Sequence, residues 1–287
     1  MQNTGESKDN WSSEAYQNAA SFVPKLAVEV VKWLDPQQDD VILDIGCGDG
    51  VLDLQIGEVL SRGGGSLHGI DSSPSMIEAS KAAAASAGFK NLSFEVHDAA
   101  DLVSKPGLQQ GKFTKAFSNA AMHWILRPEA TRGLFFRGVR DALAPGGTFA
   151  FEMGGLGNVA ELKAGIIGAV ARRIGLPRAV ESCPWFFPDE HWVRRVMEGD
   201  GGESGSGGGW TVERVERVWR PTDADAGGVD AWVRLMGRQM FDAVPDDDGQ
   251  REDCIREAVG LLEAVCATPG GGYMFSYVRL RVLARKI

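Results

Sequence analysis

Val41-Ile42-Leu43-Asp44-Ile45-Gly46-Cys47-Gly48-Asp49-Gly50 is the stretch on which the fold turns. An apolar run with β-branched residues ends at alternating glycines, the pattern of a buried strand that stops in a tight turn. Val51-Leu52-Asp53-Leu54-Gln55-Ile56 follows with an amphipathic pattern, so the turn hands a strand over to a helix. Glycine takes positive φ freely and lets backbone approach a ligand with no Cβ between them. A nucleotide-like cofactor is therefore expected at this turn.

The spacing narrows the cofactor. A dinucleotide fingerprint, G-x-G-x-x-G, places its third glycine five positions after the first. Here the glycines are Gly46, Gly48 and Gly50, and the fifth position after Gly46 is Val51. Asp44 also stands just before the glycines, where a carboxylate would repel a pyrophosphate. S-adenosylmethionine carries an ammonium and a sulfonium but no phosphate, so an acidic, glycine-rich mouth suits it better. A second mouth follows at Ser66-Leu67-His68-Gly69-Ile70-Asp71-Ser72-Ser73-Pro74-Ser75-Met76. Residues 67–70 read as a strand, and Asp71 ends it with a carboxylate able to accept both hydroxyls of a ribose. Ser72 or Ser73 can cap the next helix, with Pro74 in its first turn. Taken alone, Asp71 could equally be a capping or turn aspartate.

Composition excludes several partner classes. The chain has 287 residues, room for one α/β domain with an elaboration or for two small domains. A net charge of −9 disfavours nucleic acid. The one basic cluster, Arg279-x-Arg281-x-x-x-Arg285-Lys286, alternates like a strand face and is read as solvated. Cys47, Cys183, Cys254 and Cys266 form no C-x-x-C pair, which points to a reducing compartment. The four histidines are scattered, so no metal is expected. With no signal peptide at its start and no apolar run of membrane-spanning length, the chain is expected to be cytoplasmic.

Strands and helices alternate along the chain, the signature of a doubly wound sheet. Helices are predicted over 24–34, 74–87 and 132–143, and strands over 92–96, 113–118 and 148–153. Further on come a helix over 159–174, the aromatic Pro184-Trp185-Phe186-Phe187-Pro188, a helix over 189–197 and a Gly/Ser stretch at 199–209 read as an inert loop. A strand over 210–219, helices over 229–241 and 251–267 and a last strand over 273–284 complete the chain. The last two strands could pair antiparallel at the sheet edge. The expected fold class is α/β: a Rossmann-like, doubly wound, seven-stranded, mostly parallel sheet with an antiparallel last strand and an α-helical cap insertion. It divides into an N-terminal lid and helix (1–35), a cofactor-binding core (36–156, with strands 210–220 and 271–287) and two cap segments (157–209 and 221–270).

Asp44-x-Gly46-x-Gly48-x-Gly50 with Asp71 resembles the first motifs of class I S-adenosylmethionine-dependent methyltransferases. Phe117-Ser118-Asn119-Ala120-Ala121-Met122-His123-Trp124-Ile125 runs off the fourth strand, where sites in open α/β sheets lie. This loop resembles the trans-aconitate methyltransferase-like branch. So do Trp11-x-x-x-x-Tyr16, Phe22-Val23-Pro24, Pro145-Gly146-Gly147, Glu152-Met153-Gly154-Gly155, the aromatic segment and Tyr277-Val278-Arg279-Leu280. The likeness runs from about Trp11 through most of the chain. The Gly/Ser stretch departs from it, as does His123, where some relatives have glutamine.

The resemblance implies a cofactor site of Tyr16, Asp44, Gly46, Cys47, Gly48, Asp71, Ser72, Met76, Asp98, Ala99 and Asn119. In it Asp98 and Ala99 serve the adenine, although Asp98 could instead satisfy its own loop backbone. His97 is read as structural or solvent-facing. An acceptor pocket of Trp11, His123, Trp124, Trp185, Phe186 and Trp232 is expected, with Trp192 packed within its helix. The expected reaction is in-line methyl transfer to a small molecule, most simply to a carboxylate, which is ionised at neutral pH and needs no base. His123 would then orient the acceptor; for a phenol or thiol it would serve as general base. A nicotinamide oxidoreductase and a non-catalytic S-adenosylmethionine-binding module remain as alternatives from other classes.

Overall fold

The structure, a computed structural model, describes residues 27–199, 208–246 and 248–287. Strand β1 (Val41–Ile45) leads through the glycine turn into helix α2 (Val51–Leu60), preceded by the short α1 (Val28–Leu34). Then come β2 (Ser66–Asp71), α3 (Pro74–Ser86), β3 (Leu92–Val96), β4 (Phe113–Asn119), the one-turn α4 (Met122–Ile125), α5 (Arg132–Ala142) and β5 (Leu143–Gly154). The cap begins with α6 (Ala160–Ile174) and α7 (Leu176–Glu181), and α8 (Glu190–Glu198) returns to the sheet. After β6 (Trp210–Asp223), helices α9 (Gly228–Met236), α10 (Arg238–Asp242) and α11 (Gln250–Cys266) complete the cap before β7 (Met274–Lys286).

The seven strands lie in the order β3-β2-β1-β4-β5-β7-β6. Strands β1 to β5 pair parallel, and β7 runs antiparallel to both β5 and β6. β1 is buried almost throughout, which is why its sequence is a continuous apolar run and not an alternation. Its side chains still alternate between faces: Ile42 joins the core formed with α1, α2 and α3, and Leu43 the core formed with α5 and α8. A third core unites the cap helices with Phe275 and Tyr277 of β7. Order reverses between β1 and β4, the crevice where open α/β sheets bind ligands.

Three readings need correction. The helix expected over 229–241 breaks at Gly237 into α9 and α10, as glycine's poor helix propensity favours. The basic tail is not solvated: β7 is an interior strand covered by β6, so Arg279 and Arg281 are buried, and Arg285 alone of the three arginines is exposed. Trp192 packs outward from its helix, against Phe136 of α5 and Phe186. Trp11, Tyr16 and Phe22, in the segment expected to form the N-terminal lid, and most of the Gly/Ser stretch lie outside the described residues. Among the described residues no helix is long and apolar enough to cross a membrane.

Candidate active site

A cleft opens beyond the carboxyl ends of β1, β2 and β4, between the sheet and the cap. Its floor is the glycine turn. Gly46, Gly48 and Gly50 all have positive φ (74°, 57° and 79°), so the chain needs glycine to turn here. A Cβ on Gly46 would sit 2.2 Å from the Cβ of Ala121, whereas one on Gly48 would meet nothing within 4 Å. Gly46 thus lets the loop after β4 press on the turn, and Gly48 faces open cleft. That loop carries strain, since Ala120 is held at φ 59°, and its N–H donates to the Glu152 carbonyl at 2.8 Å.

Carboxylates gather at this end. Asp71 accepts from the N–H of Gly48 (3.0 Å) and of Ser73 (2.9 Å), which ties the turn to the end of β2. Ser73, the cap of α3, accepts from Met76 N–H at 3.2 Å, with Pro74 at the first helical position. Asp98 lines the cleft and also accepts from its neighbour Ala100 N–H at 2.9 Å, the local bond weighed against a ligand role. Asp44 is buried at the cleft wall, and its Oδ1 accepts no hydrogen bond from the described residues. Burial, then the charges of Asp53 and Asp71, push its carboxyl well above the usual range. The same burial and the same three carboxylates push up the Cys47 thiol, leaving it protonated and unreactive. An orphaned, buried acceptor among like charges fits a cationic ligand, and S-adenosylmethionine meets that demand with its ammonium while Asp71 and Asp98 can take hydroxyl and amino donors.

The other end is aromatic and basic. Trp124, Trp185, Phe187, Trp232 and Tyr277 form the wall, with the Trp185 and Phe187 rings stacked at 6.0 Å. Trp232 Nε1 donates to Tyr277 Oη at 2.6 Å, and burial pushes the Tyr277 hydroxyl up to about 12. His123 is buried between this wall and Gly154, whose N–H donates to its Nδ1 at 3.4 Å. That bond leaves the ring proton on Nε2. Burial, then the charge of Arg279, hold the pKa of His123 well below the ordinary histidine value, so the ring is neutral at pH 7.

Arg279 reaches this end from β7, only 5% exposed. Its Nε donates to Glu152 Oε1 at 3.0 Å, and Arg220 and Arg281 converge on the same carboxylate. Burial raises the Glu152 carboxyl, but Arg279, Arg220 and Arg281 outweigh it and hold it below its ordinary value. Glu216 adds a second carboxylate on Arg281.

The cleft thus gathers Asp44, Gly46, Cys47, Gly48, Asp71, Ser72, Met76, Asp98, Ala99 and Asn119, together with His123, Trp124, Trp185 and Trp232. Phe186 is the exception: its ring lies outside the cleft, 3.6 Å from the Arg132 guanidinium and edge-on to Trp192. Phe187 takes the expected place. The segment 183–188 has no helical assignment, and Phe186 N–H donates to the His123 carbonyl at 2.9 Å, so neighbouring side chains point opposite ways. His97, read as structural or solvent-facing, also lines the cleft. Arg279, Tyr277, Asn158 and Met236 are among the lining residues that the sequence alone did not single out for the site.

Comparison with known proteins agrees with this geometry. A family model described as a methyltransferase domain matches residues 36–167. An uncharacterized methyltransferase of Schizosaccharomyces pombe, C70.08c, is 34% identical over 97% of this chain and 99% of its own length. Aklanonic acid methyltransferase DauC of a Streptomyces species is 30% identical over 48% of this chain and 63% of its own. Among solved structures, YcgJ of Bacillus subtilis shares the fold with a TM-score of 0.57 at 15% identity, over 91% of this chain and 97% of that one.

Proposed function

This chain belongs to the S-adenosylmethionine-dependent methyltransferases of class I, and from that premise we propose that it methylates a carboxylate oxygen of a small organic acid. The observation that carries this reading is Arg279, a buried guanidinium at the wall of an otherwise aromatic pocket. A cation kept in such a place favours an anionic guest.

Bound S-adenosylmethionine supplies a methyl group on a positively charged sulfur, an electrophile that needs no further activation. The protein's own part is orientation. Arg279 and the Nε2–H of neutral His123 can hold one face of the acid, while a free carboxylate lone pair is presented to the cofactor end. The five aromatic side chains take the apolar body and keep water out, which is where most of such a rate enhancement originates. A carboxylate is already ionised at pH 7, so no proton has to be removed. A phenol or thiol would need a base. His123 is poorly suited to that work, because its one lone pair already accepts from Gly154 N–H. The name of the relative DauC, which includes an acid, is in keeping with this acceptor class.

A methyl-transfer assay over acids, phenols, thiols and amines tests the proposal. Acids with an apolar body should be the preferred acceptors. Arg279→Met should raise their KM by about 30-fold or more, the loss of a buried charged hydrogen bond of at least ~2 kcal/mol, with cofactor affinity unchanged. Arg279→Lys should restore part of the loss. A preferred acceptor without a negative charge, or one indifferent to Arg279→Met, would overturn the reading.

A further inference from the structure

Behind the glycine turn, two carboxyls are buried against each other. Asp44 on β1 is 3% exposed, and Asp53 in the first turn of α2 is fully buried. Asp44 Oδ1 and both carboxyl oxygens of Asp53 accept no hydrogen bond from any described donor. An aspartate in a first helical turn is ordinarily stabilising when it faces water or free N–H groups. Asp53 instead turns inward, onto Asp44. The charged groups around the pair are Asp49 on the turn and Asp71 at the end of β2, and Cys47 adds a protonated thiol. No Lys, Arg or His is among the leading influences on the protonation of either carboxyl.

Two carboxylates in contact in a dry site, with no cation to balance them, do not both ionise near neutrality. A hydrogen bond between them exists only when one of the two carries a proton. Burial, reinforced by Asp49, pushes Asp53 up to about 7, and burial with the charges of Asp53 and Asp71 pushes Asp44 well above its ordinary value, so the pair retains a proton near neutrality.

We propose that Asp53 is a positioning residue that acts through Asp44: in the ligand-free protein the two carboxyls share one proton, and engagement of Asp44 by the ligand's ammonium releases that proton to solvent. The proposal rests on the reading of the cleft as an S-adenosylmethionine site. Charge is conserved simply. A pair bearing one negative charge becomes a pair bearing two, the ammonium enters opposite it, and buffer takes the proton. Cofactor affinity then rises with pH through neutrality and levels off once the free pair is fully ionised. Asp53 thereby converts a single anion at the cleft wall into a doubly charged one only when a cation arrives to face it.

The test is calorimetry with S-adenosylhomocysteine, which keeps the ammonium but lacks the sulfonium, in two buffers of different ionisation enthalpy. Wild type should release close to one proton per ligand bound near pH 6.5, and its affinity should rise by up to about 10-fold per pH unit below the plateau. Asp53→Asn, which keeps the volume and loses the titration, should bind without proton release and with a flat pH profile. Infrared spectra of the ligand-free protein supply a readout independent of binding: a protonated-carboxyl stretch in wild type at pH 6.5 that is missing in Asp53→Asn. Binding by wild type without proton release, or equal release by both proteins, overturns the proposal, as does absence of the band. A wild type that shows the band but binds neither S-adenosylhomocysteine nor S-adenosylmethionine overturns the cofactor reading and, with it, the release step.

Discussion

The two ends of the cleft solve opposite electrostatic problems. At the glycine turn, Asp44 and Asp53 are buried without an ion-pair partner among the described residues; at the far wall, Glu152 is buried beneath Arg279, Arg281 and Arg220. Both clusters are dry, yet among the described residues one gathers carboxyls and the other guanidiniums. A charge left unbalanced in a low-dielectric site costs stability and is tolerated where a ligand completes it. The difference underlies the proposed guests, a cation at the first end and an anion at the second. On that reading, a chain of net charge −9 offers an acid a local cluster of arginines.

Removing the counter-charge at the basic end should have the largest effect. Glu152→Gln leaves three guanidiniums around a neutral amide and should cost about 3–5 kcal/mol in denaturant unfolding at pH 7. Its pH dependence follows from the sign of the shift. The folded carboxyl lies below its unfolded value, so its contribution is present above the unfolded pKa and is lost as pH falls through the folded one. The gap between wild type and variant should accordingly close as pH falls below the ordinary carboxylate range. A stability difference under ~1 kcal/mol at pH 7 would mean that the cluster is not internally balanced by Glu152.

A smaller effect is expected at the acidic end. Asp71→Ala removes the acceptor that holds Gly48 N–H and Ser73 N–H and should weaken S-adenosylmethionine binding by about 2–3 kcal/mol, roughly 30- to 150-fold, while the protein stays folded. Unchanged affinity would remove Asp71 from the site and weaken the contrast between the two ends. His123→Ala should have the least effect, about 10-fold in kcat/KM for an acid, a loss of ~1.4 kcal/mol, and His123→Gln should restore much of it by returning a donor. At saturating cofactor the wild-type rate should be flat from about pH 7 to 8, because the His123 pKa is depressed well below the ordinary histidine value. A rate that rises through pH 6–7 in wild type and not in His123→Gln would make the histidine a base.

The acidic end was legible in the sequence, because local chemistry specifies it. Alternating glycines demand positive φ, and Asp71 and Asp98 sit at strand ends that the apolar runs mark. The antiparallel pairing of the last two strands was expected too, on the resemblance to class I methyltransferases rather than on local chemistry. The basic end was not, because it depends on strand order. Arg279-x-Arg281 alternates like a solvated edge, and only the pairing of β6 outside β7 turns that face inward onto Glu152. The exchange of Phe186 for Phe187 has a similar origin. An alternating segment has a period but no phase until something anchors it, here the bond from Phe186 N–H to the His123 carbonyl. Asp53 could be read as an ordinary first-turn acid on α2; its inward direction is set by the packing of the helix on β1 and β2.

Three of the chain's eight tryptophans, Trp124, Trp185 and Trp232, stand together in the wall of the acceptor pocket, with centroids 5.9 and 6.0 Å apart in sequence along it. Packed this closely they exchange excitation energy, and each is sensitive to the polarity of what lies against it. The pocket is thus its own optical reporter: an acid that enters displaces solvent from a coupled array of indoles and changes their emission, with no dye attached and no methyl transferred.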